Sequence, residues 1–95
     1  MNTWTLLDLL TACIWAEARG ESLAGRRAVC NVILNRVRKS MAPSLHAVIL
    51  TPAQFSWVDP EDPNHAKTIA MRERQDGRWF ECASIARQAQ IGRAH

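Results

Sequence analysis

Apolar residues recur along most of the chain at spacings of three and four, the period of a helix rather than the alternation of a strand. The first such run predicts a helix from about Thr5 to Arg19, with Thr5 as N-cap, Asp8 in the first turn and Gly20 as the stop. A second helix is expected from Leu23 to Lys39, capped by Ser22 and ended by the stretch Ser40 to Pro43. A short helix from Leu45 to Leu50 follows Ser44 and halts before Pro52. Thr51 to Asn64 is the least regular stretch and carries Pro52, Pro60 and Pro63. Pro63 and Asn64 open another helix reaching about Gln75. Asp76-Gly77 reads as a turn, and a last helix spans Arg78 to Ile91. There is no internal repeat and no low-complexity segment. The expected fold class is mainly α.

The faces of these helices can be counted at about 100° per residue. Leu6, Leu10, Cys13, Ile14 and Glu17 share one face of the first helix, and Asp8, Thr11, Trp15 and Arg19 lie opposite. A carboxylate in line with an apolar stripe is anomalous, because burying a charge is costly. Trp15 is the converse anomaly: either tertiary packing covers it or it faces a substrate. The second helix groups Leu23, Val29, Cys30, Ile33, Leu34 and Val37 on one side. Its other side carries the small and amide residues Ala24, Ala28, Asn31 and Asn35, available to the first helix or to a ligand. In the last helix Trp79, Cys82, Ile85, Ala86 and Ala89 share a face suited to packing.

Composition narrows the class. The chain has 95 residues, 47% of them hydrophobic and 22% charged, which fits one small folded domain and excludes a disordered chain. Its net charge of +3 suits a polyanionic partner, either nucleic acid or an acidic cell-wall polymer. The basic residues are dispersed, however, and form no run of the kind that marks a nucleic-acid arm. Three cysteines with no C-x-x-C pair predict reduced thiols, without a disulfide framework or a zinc site. His46, His65 and His95 have no ligand spacing, so neither metal nor cofactor is expected. The apolar run from Leu6 to Ala16 is broken by Asp8 and Thr11 and lacks a basic leader. Neither a secretory signal nor a membrane insertion is expected from it.

Glu17 has two readings. In the first it pairs with an Arg or caps a neighbouring helix. In the second it is a general acid: a carboxyl among Leu, Ile and Cys holds its proton more readily, and glycosidic cleavage requires protonation of the leaving sugar oxygen. Glu21 lies four residues on, but beyond Gly20, so a helical relation to Glu17 cannot be assumed. It suits the N-terminal end of the second helix and could also bond near Glu17. In Gln54-Phe55-Ser56-Trp57, Phe55 is the better candidate for filling the core. Gln54 and Trp57 could line a sugar site, through an amide and a flat ring. No G-x-S-x-G elbow surrounds Ser56, which argues against a serine hydrolase.

Taken in order, Ile14 to Ser22 (with E-A-R-G-E inside it), Gly25, Ala28 to Val37 (with L-N-R-V) and Gln54-Phe55-Ser56-Trp57 resemble the cell wall hydrolase family of the spore cortex-lytic enzyme type. The resemblance extends from about Leu6 to Gly92. It implies a lysozyme-like, mainly helical fold and cleavage of peptidoglycan glycan strands. The family's catalytic acid matches Glu17. Its other motif residues fall on Glu21, Asn35, Arg36, Gln54, Phe55 and Trp57, with roles divided between structure and substrate binding.

The chemistry so implied is that of a lytic transglycosylase. Glu17 protonates the oxygen linking N-acetylmuramic acid to N-acetylglucosamine, then accepts a proton as the muramic 6-hydroxyl closes a 1,6-anhydro ring. A muramidase-type hydrolase and a non-catalytic wall-binding domain are the alternatives. Cleavage of stem-peptide amides would call for a zinc or Cys/His site. The expected partner is the glycan strand, acted on by a monomer at the cell wall, with no nucleic acid involved. Family members continue beyond the last helix into a segment that closes the groove, and this sequence stops at about its start. A protein made in the cytoplasm, and released through a phage holin, would fit the lack of a leader.

Overall fold

A computed structural model describes residues 3–39, 44–51 and 55–94, of which Val37, Leu45 and 91–94 are described by their backbone alone. Five α-helices follow one another: α1 Leu6–Ala18, α2 Leu23–Lys39, α3 Leu45–Leu50, α4 Pro63–Arg74 and α5 Gly77–Ala94. A 3₁₀ turn, Ser56–Val58, lies between α3 and α4. Among the described residues there is no strand, so the mainly helical expectation holds. Among them, too, no helix is long and apolar enough to cross a membrane.

Helix starts follow from local capping chemistry. The Thr5 hydroxyl accepts the Asp8 amide at 3.0 Å, the Ser22 hydroxyl that of Gly25 at 3.1 Å, and the Ser44 hydroxyl that of Ala47 at 3.1 Å. Asp62 receives the Asn64 amide at 2.8 Å and places Pro63 in the first turn of α4, where no amide is needed. The Asp76-Gly77 pair behaves differently from the expected turn. Asp76 caps α5 by accepting the Arg78 and Trp79 amides at 3.0 and 3.2 Å, and Gly77 is already helical. The left-handed residue that ends α4 is Gln75, at φ 50° and ψ 54°. Gly20 likewise has no left-handed φ: α1 stops at Arg19 in an ordinary right-handed conformation, its amide still bonded to the Trp15 carbonyl at 3.1 Å.

Every other helix packs against α1. Leu9, Leu10, Ala12, Cys13 and Ile14 are all fully covered, and Trp79, Cys82, Ile85 and Ala86 of α5 belong to the same core cluster. The side of α1 expected to be polar is buried as well. Thr11 and Trp15 are enclosed because α4 arrives over them with polar partners. Arg72 donates twice to Asp8 Oδ2, at 3.0 and 3.2 Å, and Arg19 donates to Asn64 Oδ1 at 3.1 Å while lying 4.5 Å over the Trp15 ring. Packing, not substrate, therefore covers Trp15. On α2 the expected core side is only partly right. Cys30, Ile33 and Leu34 are buried, whereas Leu23 is 49% exposed at the first turn, ahead of the covering helices.

Trp57 is fully buried. Its indole N–H points at Cys13 Sγ at 3.3 Å, its ring stacks on Trp4 with centroids 6.2 Å apart, and its carbonyl accepts His65 Nδ1 at 2.9 Å. Arg72 lies 4.4 Å over the far ring of that stack, Trp4. Trp57→Ala should cost about 3–5 kcal/mol of stability, the range for deleting a buried aromatic. Urea unfolding followed by circular dichroism measures it, and a loss below about 1 kcal/mol would contradict this packing. Gln75→Gly should act oppositely, relieving about 1 kcal/mol of left-handed strain and raising Tm by several degrees. A Tm at or below that of the parent chain would show that Gln75 is not strained.

Candidate active site

The apolar stripe of α1 runs from the core out to the surface at its last turn. Leu10, Cys13 and Ile14 are fully buried, but Glu17, next on the stripe, is exposed. The expectation of a carboxyl enclosed by Leu, Ile and Cys is thus corrected. The stripe is covered as far as Ile14, and the Glu17 side chain lies at the lip of an open groove. A tight connection leads into the opposite wall: the Glu21 amide bonds the Ala18 carbonyl at 3.0 Å, and the Arg26 amide bonds the Ser22 carbonyl at 2.9 Å.

That groove has a volume of about 540 Å³. Glu17 contributes from α1; Ala28, Val29, Val32, Ile33 and Arg36 from α2; Phe55 and Ser56 from the segment after α3. The α2 residues follow i, i+1, i+4, i+5, i+8, a single stripe along the helix. Sequence reasoning assigned Val29 and Ile33 to the core side and missed Val32, which is 50% exposed. The signal was available as an apolar residue too many on a helix with one face to bury. Phe55 is largely covered, with the Arg36 guanidinium 5.3 Å over its ring. Together with Ser56 it also walls a second hollow of about 500 Å³, shared with Leu50, Thr51, Val58, Asp59 and Asp62.

The structure therefore brings Glu17, Arg36 and Phe55 together, and the other described candidates stand outside the groove lining. Trp57 is corrected: with no exposed surface its ring cannot stack on a sugar, and it joins Phe55, the expected core residue, in the buried cluster. Its burial has a physical cause, since the indole N–H has a buried acceptor in Cys13. Asn35 is exposed on α2 but is not part of the groove lining. Glu21 is exposed beyond the turn and also stands outside it. Gln54 lies outside the described residues.

Other reactive groups are held elsewhere. Burial, the largest effect, pushes the Cys13 thiol up to about 12, which removes it as a nucleophile near neutral pH. His46 Nε2 meets the Trp4 carbonyl at 2.8 Å and His65 Nδ1 the Trp57 carbonyl. A carbonyl only accepts, so those nitrogens carry protons and serve as structural donors. Among the described residues, no group of three or more His, Cys, Asp or Glu is arranged to hold a metal ion.

Chemically, the groove offers one carboxylate, one guanidinium and an apolar wall. The model of the cell wall hydrolase family matches residues 20–95, about four-fifths of the chain. The chain belongs to the cell wall hydrolase family. It is also 34% identical over 64 residues to a spore cortex-lytic enzyme from Oceanobacillus iheyensis, an alignment covering 59% of this chain and 23% of that enzyme. The chain thus spans less than a quarter of its curated relative. No solved structure matches. The family match begins three residues after Glu17 and takes in the α2 and Phe55 walls of the groove.

Gly25 lies in the matched region. A Cβ built there would come within 2.9 Å of Glu21 Cβ, so the first turn of α2 closes over the Glu21 stem only because position 25 has no side chain. Replacing a helical glycine by alanine ordinarily stabilises by about 1 kcal/mol. Here the clash outweighs it, and Gly25→Ala should lose about 1 kcal/mol net in thermal or urea unfolding. A gain in stability would show that the Glu21 stem moves freely.

Proposed function

We propose that this cell wall hydrolase cleaves the glycan strand of peptidoglycan between N-acetylmuramic acid and N-acetylglucosamine, as a lytic transglycosylase with Glu17 as its general acid and base. The observation that carries the reading is that Glu17 is the one acid among the eight described residues lining the groove. Direct-displacement or double-carboxylate hydrolysis needs two acids facing the scissile bond. An intramolecular closure needs one.

In this reaction the Glu17 carboxyl gives its proton to the bridging glycosidic oxygen as the C1–O bond breaks. The muramic 6-hydroxyl then attacks C1 and returns its proton to the carboxylate, closing the 1,6-anhydro ring. Atoms balance without water, and the acid is regenerated. Val29 and the half-exposed Val32 offer apolar surface to sugar C–H faces, and the open groove admits an extended polymer.

Glu17→Gln should lower cleavage of purified peptidoglycan by about a hundredfold or more, the usual contribution of a general acid. As the side chain is exposed, stability should stay within about 0.5 kcal/mol. Mass spectrometry of the products separates the outcomes. Anhydro-muropeptides lost in the variant establish the proposal, and reducing-end products make the chain a muramidase. Undiminished cleavage by Glu17→Gln removes Glu17 from the reaction, and intact glycan from the folded parent chain leaves a wall-binding role.

A further inference from the structure

On the side of α1 away from Glu17 lies a hollow of about 440 Å³, lined by Trp15, Arg19, Lys67, Ala70, Met71 and Arg74. Among the described residues its charged lining is three cations and no acid. Lys67, Ala70, Met71 and Arg74 follow the i, i+3, i+4, i+7 stripe of α4, so the two cations stand about 10 Å apart along the helix with a small residue between them. Trp15 and Met71 form an apolar floor, both more than nine-tenths buried.

Arg19 is fixed in place. Its Nη1 donates to the Ala16 carbonyl at 3.3 Å and its Nη2 to Asn64 Oδ1 at 3.1 Å, while the guanidinium lies on Trp15. Two of its five N–H groups are used by these bonds. Arg74 has Asp76 at 3.9 Å, a long and exposed ion pair that holds it weakly, and Lys67 has no ion-pair partner among the described residues. Three cations from two helices, one of them already ordered, converge where the exposed Asp76 is the one carboxylate among the described residues that pairs with any of them.

We infer that this hollow binds the phosphodiester groups of an anionic wall polymer, holding the chain on the wall independently of the groove. Guanidinium and ammonium groups are the ordinary ligands of phosphate oxygens. Spacing along α4 suits a polymer with repeated anions better than a lone ion. A nucleic acid would also supply phosphates, but its bases need an open ring face, and the Trp15 face is capped by Arg19. The choice of a wall polymer rests on family membership and not on the chemistry assigned to Glu17.

The test measures retention on purified sacculi that keep their phosphodiester polymers, and on the same sacculi stripped of them by hydrofluoric acid. Glu17→Gln protein is used so that the wall stays intact. Lys67→Ala/Arg74→Ala in that background should bind the unstripped sacculi about tenfold more weakly and with a smaller salt dependence. Arg38→Ala/Lys39→Ala, which removes the same charge from the end of α2, should change binding less than twofold. All three proteins should bind stripped sacculi alike. Equal losses in both double variants, retention indifferent to stripping, or tighter binding to a DNA oligonucleotide at equal phosphate concentration would each overturn the inference. Cleavage of stripped sacculi by Lys67→Ala/Arg74→Ala with Glu17 restored should match that of the parent chain, so failure of the glycan reading and failure of this one are seen in different assays.

Discussion

The buried indole of Trp57 is the constraint on which much of the rest depends. An N–H taken from water must find an acceptor, and the only one offered at 3.3 Å is the Cys13 sulfur on the central helix. That contact, the Trp4 stack and the His65 bond fix the loop backbone at one place. Phe55 and Ser56, immediately before Trp57, are thereby held against α2 as part of the groove. Core and groove are consequently not separable: the residue that anchors the loop is two positions from the residue that lines the site.

Much of the fold was legible because helix boundaries are written locally. Thr5, Ser22, Ser44 and Asp62 each bond an amide two or three residues on, and nothing distant is needed to read them. The end of α4 falls at about Gln75, as read, but the left-handed conformation there was not legible, because glutamine has none of glycine's preference for it. Nor was the burial of Thr11 and Trp15. A helix side bearing Asp, Thr and Arg reads as solvated until another helix delivers Arg72 to Asp8 and Asn64 to Arg19.

The site was legible to different depths. Glu17 stood out as an acid on an apolar stripe, and the stripe does lead to it, although it leads outward into a groove. That Trp57 joins Phe55 in the core could not be read from two aromatics two residues apart. It was decided by an acceptor forty-four residues away in the sequence. Glu21 and Asn35 carry the family pattern yet stand outside the groove lining, and Gly25 gives Glu21 a structural explanation: its stem fills the space that a side chain at 25 would need.

The sulfur that receives Trp57 has a further consequence. Disulfide exchange proceeds through the thiolate, and with the Cys13 thiol near 12 only about one molecule in ten thousand carries it at pH 8. Cys30 and Cys82 are equally shut off from solvent. An oxidising exterior therefore finds no sulfur on the folded surface to capture, and mispairing is confined to the time before folding. For a chain of three cysteines, an odd number that can never pair completely within itself, the tryptophan core doubles as chemical shielding.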